Sequence, residues 1–516
     1  MLVQNFLEES ATRRPDKTAL IAGAERYSYA EVNAMADRIS HALVTGGLQK
    51  GDRAVIFLDN SLAAVAALFG VLKAGGVFVM LNPSVKAEKL SYVLNNCRAS
   101  VLIGPASGYG IISEAASSSP HLRNIFLSGK MDAALPGKAA ASLDEIISSA
   151  ATPGTPCRSI DADLATIIYT SGSTGSPKGV MMAHYNMTAA ADSITTYLEN
   201  TEEDIILNTL PISFDYGLYQ VLMAFKMGAT VILEKSFLYP YKTIETMLKE
   251  NVTGFPIVPT MSAILMQMED IGKKSFSRLR YITNTAAALP ISHIQKLREF
   301  FPTAALYSMY GLTECKRVSY LPPDQLDKRP GSVGRGMPNT EVYIVGEDEK
   351  RVAPGVVGEL VVRGRNVMRG YWEMPGETAK KLRPGTYPGE LILYTGDLFK
   401  SDDEGYLYFV GRRDEIIKSR GEKVSPREIE NVLCSMQGVA EAAVVGVPDP
   451  VLGEAVKAVI VKRPGVQITE KDVRSFCSKR LEDHMVPKVV EFAAGLPKSE
   501  NGKIKKTCLT ESFRSL

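Results

Sequence analysis

Residues 54–81 read AVIFLDN, then SLAAVAALFGVLKAGG, then VFVML. Two short apolar runs flank a helix-length apolar run, with cap residues Asp59, Asn60 and Ser61 before it and Gly75-Gly76 after it. This is a strand–helix–strand unit. Strands that are apolar on both faces need cover on both faces, and a parallel sheet flanked by helices supplies it. The same grammar returns in SVLIG (Ser100–Gly104), LATIIY before Thr170, TVILE (Thr230–Glu234), GFPIVP and LRYITNT, separated by helical patterns. A large α/β region with parallel sheets flanked by helices is therefore expected.

After about Arg329 the texture changes. TEVYIVGED, GELVVRG and EGYLYFVGR alternate polar and apolar residues and are broken by Gly and Asp, as in an antiparallel β unit. From Arg412 a helix (SPREIENVLCSM), two strands (VAEAAVVGV, EAVKAVIVK) and a second helix (TEKDVRSFCSKRL) suggest a small α+β domain. With 516 residues, too many for one ordinary core, the expected division is an N-terminal region over 1–411 and a small, mobile C-terminal domain over 412–516.

Lys+Arg 59 against Asp+Glu 57 leaves a net charge of +2, so no nucleic acid or other polyanion is expected as partner. The six cysteines form no CxxC pair, which disfavours a zinc site or disulfide framework and fits a reducing, cytoplasmic setting. The opening MLVQNFLEESATRRPDK lacks the apolar region of a secretion signal. The longest apolar run, SLAAVAALFGVL, stops at Lys73, short of a membrane span.

Off the end of LATIIY hangs YTSGSTGSPKG, Tyr169–Gly179. Glycines let backbone N–H groups converge on an anion, hydroxyls add donors and Lys178 adds charge, so a phosphate cradle is one reading. A flexible Ser/Gly loop is the other. The usual P-loop order is absent, because Pro177 precedes Lys178 and Gly179 follows it.

Tyr169–Gly179, MYGLTE (Met309–Glu314), GELVVRGRNVMRGYW (Gly358–Trp372), YTGDL (Tyr394–Leu398), GRRDEIIKSRGEKVSPREIE (Gly411–Glu430) and PKSENGK (Pro497–Lys503) stand in one order along the chain. Together they resemble the signature motifs of the adenylate-forming superfamily: acyl-CoA synthetases, nonribosomal-peptide adenylation domains and luciferases. The resemblance implies ATP-dependent attack of a carboxylate on the α-phosphate, then displacement of AMP by a thiol. It implies that Thr170, Ser171, Gly172, Ser173, Thr174, Gly175 and Lys178 hold the departing phosphates, and that Glu314 helps hold Mg2+. It further implies that Tyr310 stacks on adenine beside Gly311 and Thr313, that Asp397 accepts from the ribose hydroxyls, and that Arg412 reaches the ribose or phosphates. Lys503 bridges the carboxylate and α-phosphate in such enzymes, so Lys503, Glu314 and Thr170 are the catalytic candidates. Asp414 is the implied hinge; rotation there would replace Lys503 with the face carrying KSRGEK, where Gly421 suits close approach of a pantetheine arm. His184 has either a contact role or a place in the core.

PISFDYGLYQVLMAFKMGA aligns with the motif in which amino-acid-activating members carry Phe-Asp, here ending in Asp215. Asn284 and Thr285, in TNTAAALP, stand where many acyl-CoA synthetases have an open glycine-lined tunnel. Lys316 and Arg317 follow the magnesium glutamate, and a cation at Arg317 suits a second carboxylate or a polar substituent. Tyr216, Tyr219 and Met309 complete the implied pocket. The nearest likeness is to stand-alone amino-acid adenylation enzymes acting on a small polar or cyclic amino acid, β-amino acids included. The alternative is an acyl-CoA synthetase for a fatty or aryl acid. A nucleotide-binding scaffold without catalysis is opposed by the intact Lys178, Glu314, Asp397 and Lys503. Thirteen residues follow Lys503, leaving no room for a fused carrier, so the thiol is expected in trans from coenzyme A or a carrier protein's phosphopantetheine.

Overall fold

The computed structural model describes residues 1–516 except 131–137, 151–153, 155–158, 171–176, 269, 286–288, 414, 420–421, 450–451, 499–503 and 512–516. The expected α/β fold is present. An eight-stranded sheet runs in the order Gly370–Tyr371, Lys178–Ala183, Leu164–Thr170, Val77–Met80, Arg53–Ile56, Val101–Pro105, Asn124–Ser128, Ala139–Ser142. Its strands from Leu164–Thr170 onward are parallel. Ala54 and Ile56 face one apolar cluster while Val55 and Phe57 face another, which is why the strand is apolar throughout.

A nine-stranded sheet runs Arg335–Gly336, Ser319–Leu321, Ala305–Tyr310, Tyr281–Asn284, Gly254–Ile257, Ile205–Asn208, Thr230–Leu233, Thr18–Ala22, Glu25–Ser28. Its interior is parallel and its margins are antiparallel. One continuous core joins the two sheets through the helices Tyr29–Thr45, Leu62–Lys73 and Asp215–Met227. In Leu62–Lys73 every residue from Ala64 onward is buried, as expected of a helix apolar all round. The Ser61 hydroxyl caps it by accepting from Ala64 N–H, and Gly75 at φ +78° ends it. A Cβ on Gly70 would lie 2.7 Å from Ile39 Cγ2, so the helix Tyr29–Thr45 packs closely here only against glycine. Lys73, buried at the end of this helix, pairs with Asp37 at 2.7 Å.

The strands Thr340–Val345, Gly358–Gly364, Leu391–Ser401, Leu382–Pro384 and Leu407–Arg412 form the expected antiparallel unit. The C-terminal α+β region has its own five-stranded sheet and its own apolar clusters, around Ile417, Val444, Ile460 and Val459. The strand Leu407–Arg412 crosses the expected boundary at 411/412 without a break. Among the described residues no helix is long and apolar enough to cross a membrane.

Candidate active site

Parallel strands place their C-terminal ends along one sheet edge, and crevices open there. Asn208, Ile257, Asn284 and Tyr310 each end a strand at that edge of the nine-stranded sheet. The segment beyond Tyr310 carries most of the implied chemistry. It turns tightly: a Cβ on Gly311 would sit 2.2 Å from the Lys316 carbonyl oxygen, and Lys316 itself adopts φ +65°. A non-glycine residue there is uncommon and costs conformational energy. Neighbouring backbone holds the turn. Asn366 Nδ2 donates to the carbonyls of Cys315 (2.9 Å) and Arg317 (3.0 Å), and Met368 N–H donates to that of Glu314 (2.7 Å).

Three implied nucleotide-binding residues meet. Tyr310 OH donates to Asp397 Oδ2 at 2.6 Å, and Arg412 Nε lies 3.6 Å from Asp397 Oδ1. The antiparallel register sets Asp397 directly opposite Arg412. Phe399 meets the Tyr310 ring edge-on at 4.8 Å and fixes its plane. Burial, then the adjacent Asp397 carboxylate, pushes the Tyr310 hydroxyl well above its usual pKa, so it remains a neutral donor. Thr313 is half-buried in the same segment.

A second chain of contacts joins Lys178 to Glu314. Within Tyr169–Gly179 the strand Lys178–Ala183 pairs antiparallel with Leu164–Thr170, which sets Tyr169 opposite Gly179 and Thr170 opposite Lys178. Apolar residues from Gly179 onward make that return strand part of the sheet. Thr170 Oγ1 lies 3.5 Å from the Lys178 carbonyl oxygen. Lys178 Nζ donates to Glu377 at 2.6 Å and stands 5.5 Å from the centre of the Tyr371 ring. That hydrogen bond from Lys178, with one from Lys380, draws the Glu377 carboxyl down to about 2. Tyr371 OH donates to Glu314 Oε1 at 2.7 Å. Glu314 Oε2 has no partner among the described residues, so a hard cation finds a carboxylate oxygen available.

Tyr371→Phe removes the donor that orients Glu314. Partners of this kind are worth 10–100-fold in metal affinity. The Mg2+ concentration giving half-maximal activity is expected to rise roughly 10-fold. An unchanged Mg2+ titration would remove Tyr371 from this role.

The implied acid pocket lies on the other flank of the same segment. Asp215 opens the helix Asp215–Met227 and Gly217 follows it; a Cβ on Gly217 would meet the Pro211 carbonyl oxygen at 2.3 Å. Tyr216 OH lies 2.8 Å from the Thr283 carbonyl oxygen, and the Arg317 guanidinium stands 4.9 Å from the Tyr216 ring centre. Tyr219 OH donates to the Met187 carbonyl at 3.4 Å, and Met309 Sδ accepts from Tyr197 OH at 3.0 Å. Asn284 is fully buried and Thr285 nearly so.

Asp215 is half-buried, and desolvation pushes its carboxyl above the usual range, opposed by Lys316 and Arg317. Burial draws the Lys316 ammonium down to about 8, against the pull of Asp215 and Glu314. Lys316 Nζ and the Nε and Nη1 of Arg317 are buried without a hydrogen-bond partner among the described residues.

Ser171, Gly172, Ser173, Thr174, Gly175, Asp414, Gly421 and Lys503 lie outside the described residues. His184 is a core residue: its Nδ1 accepts from Val3 N–H at 3.1 Å, and burial lowers its pKa to about 4. Sequence reasoning missed Tyr371, Asn366 and Glu377. The first two lie inside the quoted Gly358–Trp372 stretch as its phenol and its amide, and that was their only signal. Glu377 carries none, because its contact with Lys178 spans 199 residues.

Comparison with known proteins gives a consistent result. A family model described as AMP-binding enzyme matches residues 7–372, and one described as AMP-binding enzyme C-terminal domain matches residues 428–503. A long-chain-fatty-acid–CoA ligase of Bacillus subtilis is 32% identical, covering 99% of this chain and 94% of its own. An oxalate–CoA ligase of Arabidopsis thaliana is 29% identical, covering 99% and 98%. The solved structure of ATP-bound MatB from Rhodopseudomonas palustris superposes with a TM-score of 0.90 at 29% identity, covering 100% and 99%. The expected likeness to amino-acid adenylation enzymes gives way to CoA ligases among these named relatives.

Proposed function

The chain belongs to the AMP-binding enzyme family and is an AMP-forming acid–thiol ligase of the acyl-CoA synthetase kind, and from that premise we propose how its own residues divide the work. The reading is an ATP-dependent carboxylate–CoA ligase. Tyr310, Asp397 and Arg412 receive the adenosine. Lys178 and the stretch from Thr170 to Gly175 receive the phosphates that leave. Glu314 holds Mg2+, whose charge, when bound, offsets that of the phosphates. An oxygen of the acid attacks the α-phosphorus and pyrophosphate departs with the P–O electron pair, while Lys503 neutralises the charge gathering between the two reactants. The domain from 412 onward then turns about Asp414. The thiol of coenzyme A loses its proton and attacks the acyl carbon, and AMP leaves.

The observation that carries this reading is that one segment, Met309–Arg317, reaches all three parts. Tyr310 meets Asp397, Glu314 meets the Tyr371 hydroxyl below Lys178, and Arg317 meets the Tyr216 ring. An acid other than an amino acid is favoured for a physical reason. The charged neighbours acting most on Asp215 are the cations Lys316 and Arg317. An incoming substrate ammonium would therefore meet two like charges along with the carboxylate, which costs free energy in a low-dielectric site.

The test is a panel of fatty, aryl, short aliphatic and amino acids with ATP, Mg2+ and either coenzyme A or a phosphopantetheinylated carrier. AMP, pyrophosphate and a CoA thioester in matched amounts are expected. ADP in place of AMP overturns the ligase chemistry. Turnover confined to amino acids with a carrier protein as acceptor overturns the coenzyme A reading.

A further inference from the structure

Arg317 is 4% exposed, and its Nε and Nη1 find no acceptor among the described residues. Lys316, 7% exposed, has an equally unspent Nζ. Asp215 is within Coulombic range of both but forms no ion pair with either within 4 Å among the described residues. The described cluster holds two formal cations, Lys316 and Arg317, and two carboxylates, Asp215 and Glu314, the second already hydrogen-bonded to Tyr371 OH. A buried guanidinium with open N–H groups is costly unless something completes it. Hydrocarbon cannot, and a carboxylate does so with two parallel hydrogen bonds. The Tyr216 ring beneath the guanidinium, itself held through its hydroxyl to Thr283, limits how far the plane can swing.

We propose that Arg317 receives a second carboxylate on the acid substrate, so that the enzyme acts on dicarboxylic acids and releases a CoA thioester bearing a free carboxylate. This rests on the ligase reading above. Asp215 and Tyr216 at the helix start, and Asn284 and Thr285 next to the Thr283 that Tyr216 touches, add polar groups on the same flank. Asp215 and Glu314 both act on Lys316, and the open N–H groups of Arg317 are left for the substrate.

The experiment compares matched pairs: valerate with glutarate, hexanoate with adipate, benzoate with isophthalate. Formation of AMP and of the CoA thioester is followed for each. In wild type the carboxylated member of at least one pair is expected to exceed its partner in kcat/KM by about 100-fold or more. Arg317→Met should collapse that ratio toward one, and Arg317→Lys should retain part of it, since an ammonium keeps the charge but not the planar fork. Removing a buried guanidinium whose Nε and Nη1 lack acceptors among the described residues is expected to leave Arg317→Met at least as stable as wild type, checked by thermal unfolding. Wild-type preference for every monoacid, or a ratio unmoved by Arg317→Met, overturns the inference and leaves the ligase reading standing. A chain forming no AMP with any acid tested overturns both.

Discussion

Lys503→Ala is expected to lower ATP–pyrophosphate exchange by about 10²–10³-fold, the cost of losing one positioned charge at a developing anion. Thioester formation from presynthesised acyl-adenylate and coenzyme A should be largely spared. The asymmetry follows from the proposed division of labour: Lys503 faces the reactants only while the acid attacks the α-phosphate, and the rotated domain removes it before the thiol arrives. Measuring the two half-reactions separately decides the matter. Equal losses in both would show that one fixed pose serves both steps, and would remove Asp414 from the hinge role as well.

Gly334→Ala is expected to cost on the order of 3–5 kcal/mol of stability and to raise the KM for ATP. Gly334 adopts φ +85°, and a Cβ there would lie 1.7 Å from the Tyr320 carbonyl oxygen. Left-handed backbone for a residue with a side chain costs about 1–3 kcal/mol. Overpacking against backbone adds about as much again, because backbone does not swing aside as a side chain tip does. The position also ties two sheets together: Leu407 N–H donates to Gly334 O at 2.7 Å, and Val333 N–H donates to Leu407 O at 2.9 Å. Leu407 begins the strand that ends at Arg412, opposite Asp397. A shift at Gly334 therefore moves Arg412 and Asp397 relative to Tyr310. Thermal unfolding and ATP titration of the variant test both halves; an alanine variant with unchanged stability would mean that the strand around Tyr320 yields freely.

The elements legible in the sequence are those whose signal is local. SLAAVAALFGVLKAGG shows its helix through a serine cap, an apolar run and paired glycines, and the helix spans Leu62–Lys73. The strands at 54–56 and 77–80 are legible because both their faces are buried, so their residues are apolar without alternation. The stretch YTSGSTGSPKG is legible in composition but not in shape. Its return strand pairs antiparallel with the strand before it, and no residue within the stretch announces the partner. In the acid pocket, Asp215 and Arg317 are legible as charged residues in apolar surroundings. Their meaning is not, because an aspartate suits a substrate ammonium only where no cation already stands beside it.

The sequence by itself determined the α/β alternation, the order of the motifs and the reaction class they imply. Each is written in residues that lie close together along the chain. Only the tertiary structure decided which side chains meet. Tyr371 reaches Glu314 across 57 residues, Lys178 reaches Glu377 across 199, and Tyr310 reaches Asp397 across 87. Such contacts are set by strand register and by the crossings of the chain between sheets. A one-residue slip in register would turn every side chain of a strand to its other face. The guanidinium of Arg317 belongs to the same class: its charge is visible in the sequence, but that its Nε and Nη1 lack an acceptor among the described residues becomes a property only when the neighbouring elements are in place.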